Sequence, residues 1–118
     1  MYNGMIVDDA AVMRMRLRDI LEPKFKILAE AENGDQAISL YKEVKPDFVT
    51  LDITMPGADG LQALESILST NPDARVVIVS AVGQKQIVFQ ALSKGAKDFI
   101  VKPFDADRVL KAVNRLFE

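Results

Sequence analysis

Val76-Val77-Ile78-Val79-Ser80 is a run of four apolar residues closed by a hydroxyl. No polar residue alternates with the apolar ones, so a strand formed here must be buried on both faces. Strands of that kind lie in parallel sheets sandwiched between helices. The same unit recurs in both directions. Upstream, Phe48-Val49-Thr50-Leu51 ends at Asp52, and Met5-Ile6-Val7 ends at Asp8-Asp9. Phe25 to Ala31 mixes apolar and polar residues, as a strand near a sheet edge does. Downstream, Phe99-Ile100-Val101 ends at Lys102-Pro103.

Helical segments fill the intervals. Ala10 to Glu22 places Met13, Leu17, Ile20 and Leu21 on one face and stops at Pro23. Asn33 is predicted to cap a helix over Gly34 to Val44, with Ala37, Tyr41 and Val44 inward and Lys45-Pro46 breaking it. After a loop from Met55 to Gly60, a helix with Leu61, Leu64 and Leu68 as its stripe ends near Asn71-Pro72. Gln84 to Lys94 forms a helix closed by Gly95. Asp105 caps the last helix, whose apolar side is Val109, Leu110, Val113 and Leu116-Phe117. Strict alternation with short connections implies right-handed crossovers, a five-stranded parallel sheet and helices on both faces: a doubly wound α/β domain. Five such units use up the 118 residues, so the expectation is one domain over residues 1–118 with no lid and no output domain.

Composition narrows the chemistry. The chain is 49% apolar and 27% charged, with 15 Lys plus Arg against 17 Asp plus Glu, a formal net charge of -2. This is a globular composition, and its charge balance argues against nucleic acid as a partner. There is no Cys and no His. Disulfides, thiol nucleophiles, Ser-His-Asp catalysis and His-ligated zinc are therefore excluded, and any metal must be held by oxygen. No leader-like segment or bilayer-spanning run is present, so the expected location is the cytoplasm, with no membrane partner.

In an open parallel sheet the carboxyl ends of all strands lie along one edge, where ligands bind. That edge receives Asp8, Asp9, Asp52, Ser80 and Lys102, contributed by four different strands. Singly, these residues are unremarkable in type: Asp8-Asp9 reads equally as a helix cap, Asp52 as a turn acid, and Lys102 as a solvated charge. Jointly, three acids repel unless a cation or Lys102 offsets them. Mg²⁺ suits such a site, because it takes one or two carboxylates, keeps waters and accepts phosphate oxygens. One carboxylate can then attack phosphorus and form an acyl phosphate. Lys102 would bind a phosphoryl oxygen and Ser80 would donate a hydrogen bond to another.

These residues resemble the receiver domain of two-component response regulators. The likeness rests on Val7-Asp8-Asp9, Leu51-Asp52-Ile53-Thr54-Met55-Pro56 with Asp59-Gly60, Ser80-Ala81, and Gly95-Ala96-Lys97-Asp98-Phe99-Ile100-Val101-Lys102-Pro103-Phe104. It covers essentially the whole chain and is greatest to stand-alone chemotaxis receivers of the CheY type.

The resemblance implies the flavodoxin-like strand order 2-1-3-4-5, which CheY itself exemplifies and which spacing alone does not supply. It implies Asp52 as phospho-acceptor, and Asp8, Asp9, Asp52 and the Thr54 backbone carbonyl as ligands of Mg²⁺, with Mn²⁺ as a substitute. It further implies Ser80 and Phe99 as switch residues, Lys102 as phosphoryl ligand, and a cis Lys102-Pro103 peptide. The phosphodonor would be a CheA-like histidine kinase, and the target a protein such as a flagellar motor switch component. The chain would be a monomer and, apart from its own phosphorylation and dephosphorylation, not an enzyme. The output face would combine the helix over Gln84 to Lys94, the strand bearing Phe99 and the last helix.

Within that face Ile87-Val88-Phe89 sweeps about 200° of helix surface, wider than a core stripe, so at least one of the three should be exposed. Val88 and Phe99 are its expected partner-facing residues. Departures from the pattern are Gly4, which predicts a first strand short or frayed at its start, Phe99 in place of tyrosine, and Ser80 in place of the commoner threonine.

Two other classes compete, along with a receiver serving another pathway as relay intermediate or phosphate sink. A flavodoxin-like FMN carrier needs a Ser/Thr/Gly phosphate loop where Asp8-Asp9 stands. An aspartate-dependent phosphatase needs a cap domain.

Overall fold

The computed structural model describes residues 1–55 and 59–118. The expected loop residues Pro56 to Ala58, and the side chain of Asp59, lie outside the described residues. The chain runs β1(Asn3–Val7), α1(Ala11–Leu21), β2(Lys26–Ala31), α2(Gly34–Val44), β3(Phe48–Asp52), α3(Asp59–Thr70), β4(Val76–Ser80), α4(Lys85–Lys94), β5(Asp98–Val101) and α5(Ala106–Arg115). All pairings are parallel, in the order β2-β1-β3-β4-β5.

The absence of alternation in β4 has the expected cause. Val76 and Ile78 enter one core, together with Met5, Val7, Val49 and Leu51, and with Ala37 and Tyr41 of α2 and Ala63, Leu64 and Ile67 of α3. Val77 and Val79 enter the other, with Ile6, Phe48 and Ile100, and with Leu17 and Leu21 of α1 and Val109 and Val113 of α5. Successive strand residues point to opposite faces, so a central strand with a core on each side is apolar throughout. The α3 stripe centres on Ala63, Leu64 and Ile67; the expected Leu61 and Leu68 are partly buried beside it.

The local signals act where they were read. Asn33 Oδ1 accepts the Gln36 N–H at 2.9 Å and Asp105 Oδ1 accepts the Arg108 N–H at 2.8 Å, capping α2 and α5. Gly95 closes α4 at φ 124°, a conformation side chains disfavour. Among the described residues no side chain caps α1, whose N-cap is Ala10.

The expectation of a short or frayed first strand is wrong. β1 begins at Asn3 and pairs with β2 and β3. Gly4 lies opposite Phe48, and a Cβ on Gly4 would stand 2.7 Å from each of two ring carbons. The glycine therefore lets the Phe48 ring lie against the strand. No helix among the described residues is long and apolar enough to cross a membrane.

Candidate functional site

The carboxyl ends of β1, β3 and β4 and the residue after β5 meet at one edge. Asp8 and Asp52 are buried, whereas Asp9 is exposed. One carboxylate oxygen from each lies within 4.8 Å of the others. Lys102 Nζ stands 3.3 Å from Asp8 Oδ2 and 3.4 Å from Asp52 Oδ2.

The two buried carboxylates are held alike. Asp8 Oδ1 accepts the Ala10 N–H at 2.9 Å, a local turn that draws the side chain away from capping the helix. Asp52 Oδ1 accepts the Thr54 N–H at 2.8 Å and the Thr54 hydroxyl at 2.6 Å. Each acid thus has one oxygen engaged by its own loop and the other turned toward Lys102. Burial pushes the Asp8 carboxyl above its ordinary value of 3.8, and the Asp52 charge adds to the rise; the Ala10 N–H and Lys102 oppose it. Hard oxygen donors, crowded and incompletely neutralised by one lysine, are a donor set that suits Mg²⁺.

Ser80 is buried at the end of β4, and its hydroxyl has no hydrogen-bond partner among the described residues. Its carbonyl accepts the Lys102 N–H at 2.7 Å, tying the two residues through the main chain. Beyond Ser80 an apolar cavity of about 390 Å³ opens between the β4–α4 loop, α4 and β5, lined by Val82, Val88, Phe89, Leu92, Phe99 and Val101. Phe99 is 36% exposed and Phe89 65% exposed. Of Ile87-Val88-Phe89, the exposed residue is therefore Phe89. Val88, expected to face a partner, is only 6% exposed and forms a wall of the cavity. The Lys102-Pro103 peptide is cis.

Two contacts were missed in the sequence. The Thr54 hydroxyl donates to Asp52 Oδ1, adding to the local turn that an Asp makes by accepting the backbone N–H two residues on. Arg14 Nη1 donates to the Asp8 carbonyl at 2.7 Å, a contact that only the packing of α1 creates.

A model of the response regulator receiver domain matches residues 5–114. The chain belongs to the response regulator receiver domain family. It is 56% identical to the chemotaxis protein CheY of Bacillus subtilis over 112 residues, covering 94% of this chain and 93% of that protein. To the CheY of Thermotoga maritima it is 49% identical over 113 residues, 95% of this chain and 94% of that one. Its structure resembles a chain of the CheX–CheY–BeF3–Mg²⁺ complex of Borrelia burgdorferi at TM-score 0.93, with 42% identity, covering 99% of this chain and 90% of that chain. The receiver architecture and the strand order expected from the resemblance are those observed. A receiver is a signalling module, and the flavin-carrier and phosphatase readings are not favoured.

Proposed function

We propose that this receiver is a phospho-accepting switch in chemotaxis signalling, with Asp52 as the acceptor. The observation that carries the reading is the shared arrangement of Asp8 and Asp52: one oxygen fixed by the loop, the other facing Lys102. Oδ2 of Asp52 is the nucleophile. Its bond to phosphorus forms as the P–N bond of a phosphohistidine on a CheA-like kinase breaks, the imidazole leaving with the electron pair. The Thr54 contacts to Oδ1 orient the carboxylate without occupying Oδ2. Lys102, within reach of both acids, offsets the charge of an arriving phosphoryl group.

Asp8, Asp9 and Asp52 would hold Mg²⁺ or Mn²⁺, with the Thr54 carbonyl as a further ligand. When bound, the ion supplies charge neutralisation between the carboxylates and the phosphoryl oxygens. The Mg²⁺ in the Borrelia CheX–CheY complex supports this choice.

The output follows from Ser80. Its hydroxyl, unpartnered among the described residues, would turn toward a phosphoryl oxygen, and the adjoining cavity gives the Phe99 ring room to move inward. The face of α4, β5 and α5 would then bind a protein target such as a flagellar motor switch component. Phe89 and Phe99 would contact it, with Val88 supporting them from behind.

The test is acetyl phosphate with Mg²⁺. One base- and hydroxylamine-labile phosphoryl group should form on the wild type and none on Asp52→Asn. Undiminished labelling of Asp52→Asn refutes the assignment.

A further inference from the structure

The exposed Asp9 side chain makes no hydrogen bond or ion pair among the described residues. Its position relative to Asp8 and Asp52 is therefore set by the backbone that carries it. That backbone turns at the peptide joining Asp8 to Asp9. The chain is fixed on both sides of this peptide, since the Asp8 N–H donates to the Ala31 carbonyl at 3.0 Å and the Ala10 N–H donates to Asp8 Oδ1 at 2.9 Å. Among the described residues the oxygen of the peptide itself is held by one contact, from Arg14 Nη1 at 2.7 Å.

Arg14 is itself anchored. Its side chain is only 16% exposed, and Nε donates to Glu30 Oε1 on β2 at 3.2 Å. Glu30 is gripped on its other oxygen by Arg18 Nε at 2.7 Å. The planar guanidinium thus spans two acceptors in fixed directions, one on β2 and one on the Asp8–Asp9 turn. A lysine ammonium is a point charge without that fork.

We propose that Arg14 is a positioning residue for the divalent-ion site, locking the Asp8–Asp9 peptide so that the exposed Asp9 carboxylate is presented beside Asp8 and Asp52. The proposal rests on the reading of those three acids as the metal site. Contacts that orient metal ligands commonly change affinity by about 10–100-fold when removed. Arg18 provides the control: it shares Glu30 and ties α1 to β2, but makes no bond to Asp8.

The experiment is calorimetric titration of MgCl2 into the full chain without phosphodonor, for the wild type, Arg14→Met, Arg14→Lys and Arg18→Met. Arg14→Met should weaken Mg²⁺ binding by about tenfold or more, Arg14→Lys by less, and Arg18→Met by under about twofold. With acetyl phosphate, Arg14→Met should raise the half-saturating Mg²⁺ concentration for labelling while keeping the rate at saturating Mg²⁺. Wild-type affinity in Arg14→Met, or equal weakening in Arg18→Met, overturns the proposal and leaves the metal reading intact. Should Arg14→Met fail to fold, wild-type affinity in Arg14→Lys overturns it. A wild type that binds no Mg²⁺ overturns both.

Discussion

Replacing Gly4 with alanine separates two effects of opposite sign. In an ordinary strand interior the change should stabilise by about 0.5–1 kcal/mol, because glycine loses more freedom on folding. Here the new methyl group would meet Cζ of the Phe48 ring most closely of all and stand 2.7 Å from each of its two Cε carbons. Favourable carbon contacts lie at about 3.5–4.0 Å, so roughly an ångström of overlap must be relieved. The ring has little room to yield. It is buried and packed edge-on against Phe25 at 5.2 Å and Phe117 at 6.3 Å between centroids. Overpacking of this kind costs about 1–3 kcal/mol, which outweighs the backbone gain. The expected net loss for Gly4→Ala is about 1–2 kcal/mol, a drop in melting temperature of roughly 4 °C per kcal/mol for a domain of this size. Urea and thermal unfolding followed by circular dichroism measure it, since the chain has no Trp to report by fluorescence. In a Phe48→Leu background the same substitution should become neutral or stabilising. A Gly4→Ala protein as stable as the wild type would refute the reasoning.

Three further outcomes are expected. Asp8→Asn should stabilise the Mg²⁺-free protein at neutral pH. The folded Asp8 carboxyl binds its proton more tightly than the unfolded one, so its stabilising contribution is full below the ordinary value and lost as pH rises through the folded value. The variant's advantage should therefore close as pH falls toward about 4, measured by urea midpoints across pH; lower stability of the variant at pH 7 would contradict the charge argument. Saturating Mg²⁺ should raise the wild-type melting temperature, by about 2.7 kcal/mol of stabilisation at 100-fold excess over Kd, and an unmoved melting curve would remove the metal site. Val88→Glu should lower stability by several kcal/mol because it buries a charge, whereas Phe89→Ala should fold normally and weaken binding of the phosphorylated protein to its target. A normally folded Val88→Glu, or unimpaired target binding by Phe89→Ala, would contradict that division of roles.

Much of this protein is written locally. Strands buried on both faces must be apolar at every position, so Val76 to Val79 announces its sheet without reference to the rest of the chain. Asn33, Asp105 and Gly95 act within a few residues of themselves, and their effects were legible for that reason. The convergence of Asp8, Asp52, Ser80 and Lys102 follows from parallel strands sharing one edge. Other features depend on groups distant in the chain. Helical periodicity sets the angles between Ile87, Val88 and Phe89, but not how α4 is rotated on the sheet; packing turned Val88 inward and Phe89 out. Gly4 reads as a weak strand residue until β3 lays Phe48 across it. Asp8 and Asp9 are indistinguishable as letters. Tertiary packing buried one and left the other exposed, and the placement of α1 brought Arg14 onto the peptide between them.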